Sequence, residues 1–240
     1  MAYNFLELVN QVNRRFNEVE LTSANFATAK GFYGSAKDSV NAAIRDVTQS
    51  HFEWTFNHAN KEETLVAGTT RYAIPNSTSS IDYNSFRIKK DDALGNATTK
   101  LNVLTYEEYL KRFVDQEYTT DTGTRGLPLY VIQAPSEEYL VSPAPDQAYT
   151  LVFEYYTIPT DLSLYSDVPT IPERFKHVII DGAMYHAYMF RGNEQSAAIS
   201  KQKFDEGIKR MRTILINRYT YMSSSYITPS GSNISGPRLI

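Results

Sequence analysis

Ser50-His51-Phe52-Glu53-Trp54-Thr55-Phe56-Asn57, followed by Glu62-Glu63-Thr64-Leu65-Val66-Ala67-Gly68-Thr69-Thr70-Arg71-Tyr72-Ala73-Ile74-Pro75, is the stretch that decides the fold. Apolar residues recur at helical spacing up to the only tryptophan, Trp54. Beyond it the period changes to two, the signature of strands. A junction of this kind implies a helical body interrupted by a β segment.

On its N-terminal side, Phe5, Leu8, Val9, Val12 and Phe16 stand three and four residues apart. That spacing predicts a helix over residues 3–19 with one apolar face, while Asn13, Arg14, Arg15 and Asn17 fall mostly elsewhere. Thr22-Ser23 offers an N-cap for a second helix from about Ala24 to Phe52. Gly31 and Gly34 lie in its early turns, where each costs up to ~1 kcal/mol relative to alanine. They allow a kink or a close helix contact.

On the C-terminal side, Thr64–Val66 and Arg71–Ile74 flank Ala67-Gly68-Thr69-Thr70 and read as a hairpin. A weak alternation runs from Ile81 to Lys90, and Gly95-Asn96 is a turn. Thr105 with Glu108 three residues later predicts a capping box opening a short helix to about Phe113. A polar loop, Thr119–Gly126, comes next. Strands are then expected at Leu129–Gln133, Glu138–Val141 and Tyr149–Tyr156, with Tyr149, Leu151, Phe153 and Tyr155 on one face. Pro143-Ala144-Pro145-Asp146 reads as a hairpin-like link between the last two.

Helical period returns after Pro172-Glu173, which suit a first turn. Phe175, Val178, Ile179, Gly182, Ala183, Tyr185, His186 and Met189 form a broad apolar face, and Arg191-Gly192-Asn193 ends that helix. A final helix is expected from about Glu194 to Tyr219. It carries Lys201, Lys203, Lys209, Arg210 and Arg212, interleaved with Asp205 and Glu206. The fold class is therefore α+β: a bundle of N- and C-terminal helices with an inserted antiparallel β domain. The boundaries read as 1–57 plus 168–220 for the helical domain, 58–167 for the β insertion and 221–240 for an extended arm.

Composition narrows the function. The chain has 240 residues, no cysteine and a net charge of -3. Disulfides and thiolate metal sites are excluded, and no global positive field recruits nucleic acid. The histidines at 51, 58, 177 and 186 lack the close spacing of a zinc helix motif. Neither a Gly-rich phosphate loop nor a Gly-x-Ser-x-Gly elbow is present. No apolar run reaches the ~20 residues of a membrane span. Met1-Ala2-Tyr3-Asn4-Phe5 does not read as a signal peptide. Asp91-Asp92 near Gly95-Asn96 lacks the alternate-position acids of a cation loop and reads as a solvated turn. The adjacent acids Glu107-Glu108 and Glu137-Glu138 read as caps and solvated positions rather than as a glycosidase pair. The expectation is a non-enzyme without cofactor or metal. Eighteen tyrosines and twelve phenylalanines suit strands and broad protein contacts.

Residues 223–240 are too polar for a core element, yet carry Tyr226, Ile227, Ile234, Pro237, Arg238, Leu239 and Ile240. Two readings stay open: a partner-docking segment that adds a strand or fills a groove, or plain disorder. A competing function is a carbohydrate- or protein-binding β module on a helical stalk, with Trp54, Tyr72, Tyr130, Tyr139 and Tyr155 as the platform. A hydrolase using Glu107, Glu108 or Glu138 is a third reading.

Three segments carry a family resemblance. They are the helix Ala42–Ser50 running into Phe52-Glu53-Trp54-Thr55-Phe56-Asn57, the stretch Glu63–Pro75, and Val168–Ile179 with its Pro172-Glu173-Arg174-Phe175 start and Arg191-Gly192-Asn193-Glu194 corner. In this order, over about residues 5–217, they resemble the head-to-tail adaptors of short-tailed bacteriophages, the tail tubular protein A or gatekeeper family. The resemblance implies a structural virion protein of the viral tail, made in the host cytoplasm and placed at the head-tail junction. It further implies a homo-oligomeric ring, a dodecamer, joining the portal protein above to the tail nozzle below, with tail fibres as a candidate partner at its flank. Genomic DNA would pass through the channel during genome ejection without specific binding. The segment 221–240 would be the portal-docking arm.

Overall fold

A computed structural model describes residues 3–89, 98–118 and 122–215. Two compact units emerge, residues 1–43 with 173–240 and residues 44–172.

In the first unit, helix α1 spans Phe5–Arg15 and buries Phe5, Leu8, Val9 and Val12. The Asn4 side chain accepts the Glu7 amide at 3.0 Å, an N-cap. Asn17 adopts a left-handed φ of 56°, the Glu18 amide reaches the Asn13 carbonyl at 2.9 Å, and the Asn17 amide reaches that of Arg14 at 3.1 Å. This is a Schellman ending, and asparagine tolerates its left-handed residue. The helix therefore stops short of the expected residue 19. Two polar positions on α1 turn inward. Asn10 accepts the Leu21 amide at 2.8 Å and donates to its carbonyl at 2.9 Å, which ties the following loop to the helix. Asn13, expected outside the apolar face, is fully buried.

The second helix, α2, spans Phe32–Gln49 rather than starting near Ala24. Residues 23–28 form turns in which Thr22 accepts the Phe26 amide at 3.0 Å. Gly31 has φ +63°, a conformation a right-handed helix cannot contain, so the break foreseen as a kink is complete.

The closing helices are α5, Lys176–Phe190, and α6, Glu194–Leu215. Between them Gly192 takes φ +70°, with the Asn193 amide on the Tyr188 carbonyl at 3.0 Å. Asn193 then caps α6 by accepting the Ser196 amide at 3.1 Å. One dipeptide thus ends one helix and starts the next. Arg191 pairs with Glu18, and its guanidinium lies 4.7 Å and 4.1 Å from the rings of Phe16 and Phe32.

The second unit is a two-sheet sandwich. Its strands are β1 His58–Thr64, β2 Arg71–Ala73, β3 Thr78–Lys89, β4 Thr98–Lys100, β5 Asn102–Leu104, β6 Tyr130–Gln133, β7 Glu138–Ser142 and β8 Thr150–Thr157. One sheet has the order β1-β8-β3-β4, the other β2-β7-β6-β5. All pairs are antiparallel except β5 with β6. Phe86, Ile88, Leu151 and Phe153 from the first sheet meet Tyr72, Val131, Tyr139 and Val141 from the second. Phe86 and Phe153 stack at 4.5 Å with their planes 1° apart, and Tyr139 meets both rings edge-on.

Two expected hairpins are instead crossings between sheets. β1 pairs with β8, whereas β2 pairs with β7, so residues 65–70 carry the chain from one sheet to the other. Gly68 turns there at φ +79°, and the Tyr72 hydroxyl donates to the Thr69 carbonyl at 3.1 Å and accepts the Val66 amide at 2.9 Å. Residues 143–149 make the return crossing from β7 to β8. A third crossing lies at buried Leu101, between β4 and β5. Local turn chemistry is alike for a hairpin and for such a corner.

Helices α3, Tyr106–Arg112, and α4, Val114–Tyr118, lie over the outer face of the second sheet, where Tyr109 packs with Ile132 and Leu140. Thr105 is the N-cap of α3: it accepts the Glu108 amide at 3.3 Å, and its hydroxyl donates to the Glu108 carboxylate at 3.3 Å, a side-chain pair in place of the backbone half of the expected capping box. The fold class is α+β, with helices first and last among the described elements.

Candidate interaction surfaces

Trp54, Tyr72 and Tyr139 are buried at 0%, 8% and 0% exposure. They form the core and its margin, not a platform for a sugar ring. Tyr130 and Tyr155 are half-buried against the two core clusters. The Trp54 indole donates to the Val47 carbonyl at 2.8 Å and stacks on Phe56 at 5.4 Å, which holds the end of α2 to the start of β1.

Two of the three acids weighed for hydrolysis, Glu108 and Glu138, have structural partners. Glu108 closes the α3 cap. Glu138 pairs with Arg71 at 3.4 Å. The same Arg71 grips Glu117 of α4 through both Nε and Nη2, the latter at 3.1 Å. Tyr109 donates to Glu117 at 3.0 Å. Arg71 above all, with help from the Tyr109 hydroxyl, holds the Glu117 carboxyl below the usual range despite its partial burial. Such a group stabilises the fold above its unfolded pKa, and the contribution fades as pH falls through its lower folded value. Glu117→Gln is expected to cost about 1–2 kcal/mol at neutral pH. The difference from wild type should shrink to nothing in acid, as read by urea midpoints at both pH values. Equal midpoints at pH 7 would refute the assignment.

The basic residues of α6 are partly neutralised along the helix, with Lys201 on Asp205 at 3.2 Å and Arg210 on Glu206 at 3.8 Å. Lys201 also lies 5.5 Å and 5.2 Å from the Tyr185 and Phe204 rings. This is a laced helical face rather than a phosphate-binding stripe. Among the described residues no group of three or more His, Asp and Glu gathers for a metal, and no helix is long and apolar enough to cross a membrane. Asp91-Asp92 and Gly95-Asn96 lie outside the described residues. So do the docking candidates Tyr226, Ile227, Ile234, Pro237, Arg238, Leu239 and Ile240.

Among the described residues of the sandwich unit two exposed apolar surfaces stand out, and the sequence reading singles out neither. One is the segment after β8. Asp167 accepts the Ser163 and Leu164 amides at 2.8 Å and 2.7 Å, fixing a tight turn. The turn nevertheless presents Leu164, Tyr165 and Val168 to solvent at 62%, 45% and 59% exposure. Apolar side chains held out on a pinned turn suit a protein contact. The other is a groove of about 440 Å³ beside β5, lined by Tyr83, Val103, Leu104, Tyr106, Gln133 and Pro135 among others. Tyr83 enters it from an irregular stretch of β3 where the pairing register shifts, between Asp82 and Arg87. Burial pushes its hydroxyl up to about 12.

The described residues thus form a helical unit and a β-sandwich. The family model of the SU10 adaptor protein matches residues 3–229, and the chain belongs to that family of phage structural adaptors. No curated protein matches the chain.

Proposed function

We propose that this chain is the ring-forming head-to-tail adaptor of a short-tailed phage, joining the portal protein to the tail nozzle around the DNA channel. It would reside in the virion at the head-tail junction, with a dodecamer as the expected ring. The single observation that carries the proposal is membership of an adaptor family over a continuous match that takes in both units. Two further features support it. A ring subunit needs lateral contacts that differ on its two sides, and the pinned turn at 163–168 and the groove beside β5 are two unlike open surfaces. A modestly acidic chain, at net charge -3, also suits a channel that passes DNA without gripping it.

In this reading residues 221–240 dock on the portal through Tyr226, Ile227, Ile234, Pro237, Arg238, Leu239 and Ile240. The helical parts 1–57 and 168–220 would form the wedge of the ring and 58–167 its projecting domain. Deleting residues 223–240 is expected to leave the fold intact by circular dichroism and to abolish capture by purified portal. Undiminished capture would refute the arm. Mass measurement of the full chain with and without portal tests the ring itself: a species that stays monomeric in both would end the proposal.

A further inference from the structure

The groove beside β5 combines three properties that point to a strand-like peptide. First, β5 is the outermost strand of its sheet. The Asn102 amide faces inward to the Leu129 carbonyl at 2.9 Å, so alternation turns the amide and carbonyl of Val103 to the open side. Second, the groove offers apolar contact: Val103 is 49% exposed and stands beside Leu104 and Tyr106. The Tyr83 hydroxyl in the wall is buried and has no hydrogen-bond partner among the described residues. Third, acids flank the lining in sequence: Asp82, Glu107, Glu108, Glu137 and Glu138 lie in the stretches 82–84, 102–108 and 133–138. Glu138 is held by Arg71, which also bonds Tyr106, and Glu108 by the α3 cap, which leaves Asp82, Glu107 and Glu137. These three are exposed.

The chain holds a segment of the opposite character. Residues 216–240 carry Arg218 and Arg238 and no acid. Within them Arg218-Tyr219-Thr220-Tyr221-Met222 alternates, with Tyr219 and Tyr221 on one side of an extended chain, and these are residue types that favour strands. We propose that residues 217–222 of one copy add as a strand to the β5 edge of the next copy, seating the two tyrosines in the groove and Arg218 among its acids. Backbone pairing at Val103 supplies affinity, and the groove side chains supply register. The assignment to a neighbouring copy rests on the ring reading, because tail into groove is a heterologous contact, repeated head to tail around a closed ring. Residues 217–220 then leave the part read as helical and residues 221–222 leave the arm, while the named portal-docking residues begin at Tyr226, so both contacts fit on one tail.

The absence of cysteine makes the test direct. Full-length chains carrying Val103→Cys and Tyr221→Cys are prepared separately, mixed at ring-forming concentration and oxidised gently. The expected result is a mixed disulfide dimer at least several-fold above the self-linked dimers of either variant alone, and a several-fold loss when Glu107→Lys is added to the first. A mixed yield no higher than the self-linked background overturns the proposal. So does a monomer-sized internal disulfide as the main product of a chain carrying both Val103→Cys and Tyr221→Cys, which would place the segment in its own groove. Sedimentation of the unoxidised mixture separates this proposal from the ring reading. A ring without the mixed disulfide removes only the tail contact, whereas monomers throughout remove the ring.

Discussion

Trp54→Ala is expected to destabilise the protein by about 3–5 kcal/mol, the usual range for emptying a large aromatic site in a core. Trp54 has no exposed surface. Its ring is stacked on Phe56 and met edge-on by His51 at 5.4 Å, and its N–H bonds the Val47 carbonyl. Removing it opens a cavity where the end of α2 hands the chain to β1. For a chain of this size the melting temperature should fall by about 6–20 °C. Trp54 is the sole tryptophan, so the variant must be followed by circular dichroism or calorimetry, whereas the wild type reports on this junction by fluorescence. Trp54→Phe separates packing from hydrogen bonding. The Val47 carbonyl keeps the Ser50 hydroxyl at 2.6 Å, so losing the indole N–H does not leave that oxygen unpaired. The phenylalanine variant should therefore lose no more than about 1–2 kcal/mol. Equal losses in the two variants would show that Trp54 acts through its N–H and not through its bulk.

The same residue shows how far sequence reading carried and where it stopped. The change of period at Trp54 marked the passage from helix to strand because periodicity reports which face is buried, and burial is common to any packing partner. For the same reason Leu151 and Phe153 were legible as inward-facing. The Thr105–Glu108 cap was legible because both partners lie within one turn. Partner identity is a different matter. Thr64–Ile74 looks like a hairpin because glycine and small polar residues mark a turn, yet Thr64 pairs with Thr150 and Tyr72 with Tyr139. A choice between neighbours far apart in sequence leaves no local trace. The burial of Asn10 and Asn13 is not legible because a polar residue on an apolar helix face reads as an exposed flank until its surroundings are in place: the loop at Leu21 for Asn10, and Asn10 itself for Asn13 at 3.4 Å. The open surfaces were missed for a related reason. Leu164, Tyr165 and Val103 are apolar, and apolar residues read as core until their exposure is seen.

In the helical unit, Gly182→Leu is expected to cost about 3 kcal/mol or more, the upper end for forcing volume into a tight contact. A Cβ at Gly182 would lie 2.7 Å from the Phe204 ring and 2.9 Å from the Cβ of Ala43. On the facing helix a Cβ at Gly207 would lie 2.9 Å from Val178. α5 and α6 therefore cross with each glycine receiving a large side chain of the other helix, Phe204 over Gly182 and Val178 over Gly207. Neither ring nor backbone can yield without separating the pair, since Phe204 is fully buried. Helix propensity acts in the opposite direction. Replacing a mid-helix glycine by alanine gains about 0.5–1 kcal/mol where space allows. Gly34, in the first turn of α2, has that space, its nearest neighbour to an added Cβ being the Ala29 carbonyl at 3.8 Å, and its gain lies at or below the lower end of that range. The pair Gly34→Ala and Gly182→Ala should therefore shift the urea midpoint in opposite directions, up for the first and down for the second, with Gly182→Leu lowest of all. If Gly182→Ala were neutral or stabilising, the close crossing of α5 and α6 would be wrong, because propensity alone would then account for both substitutions.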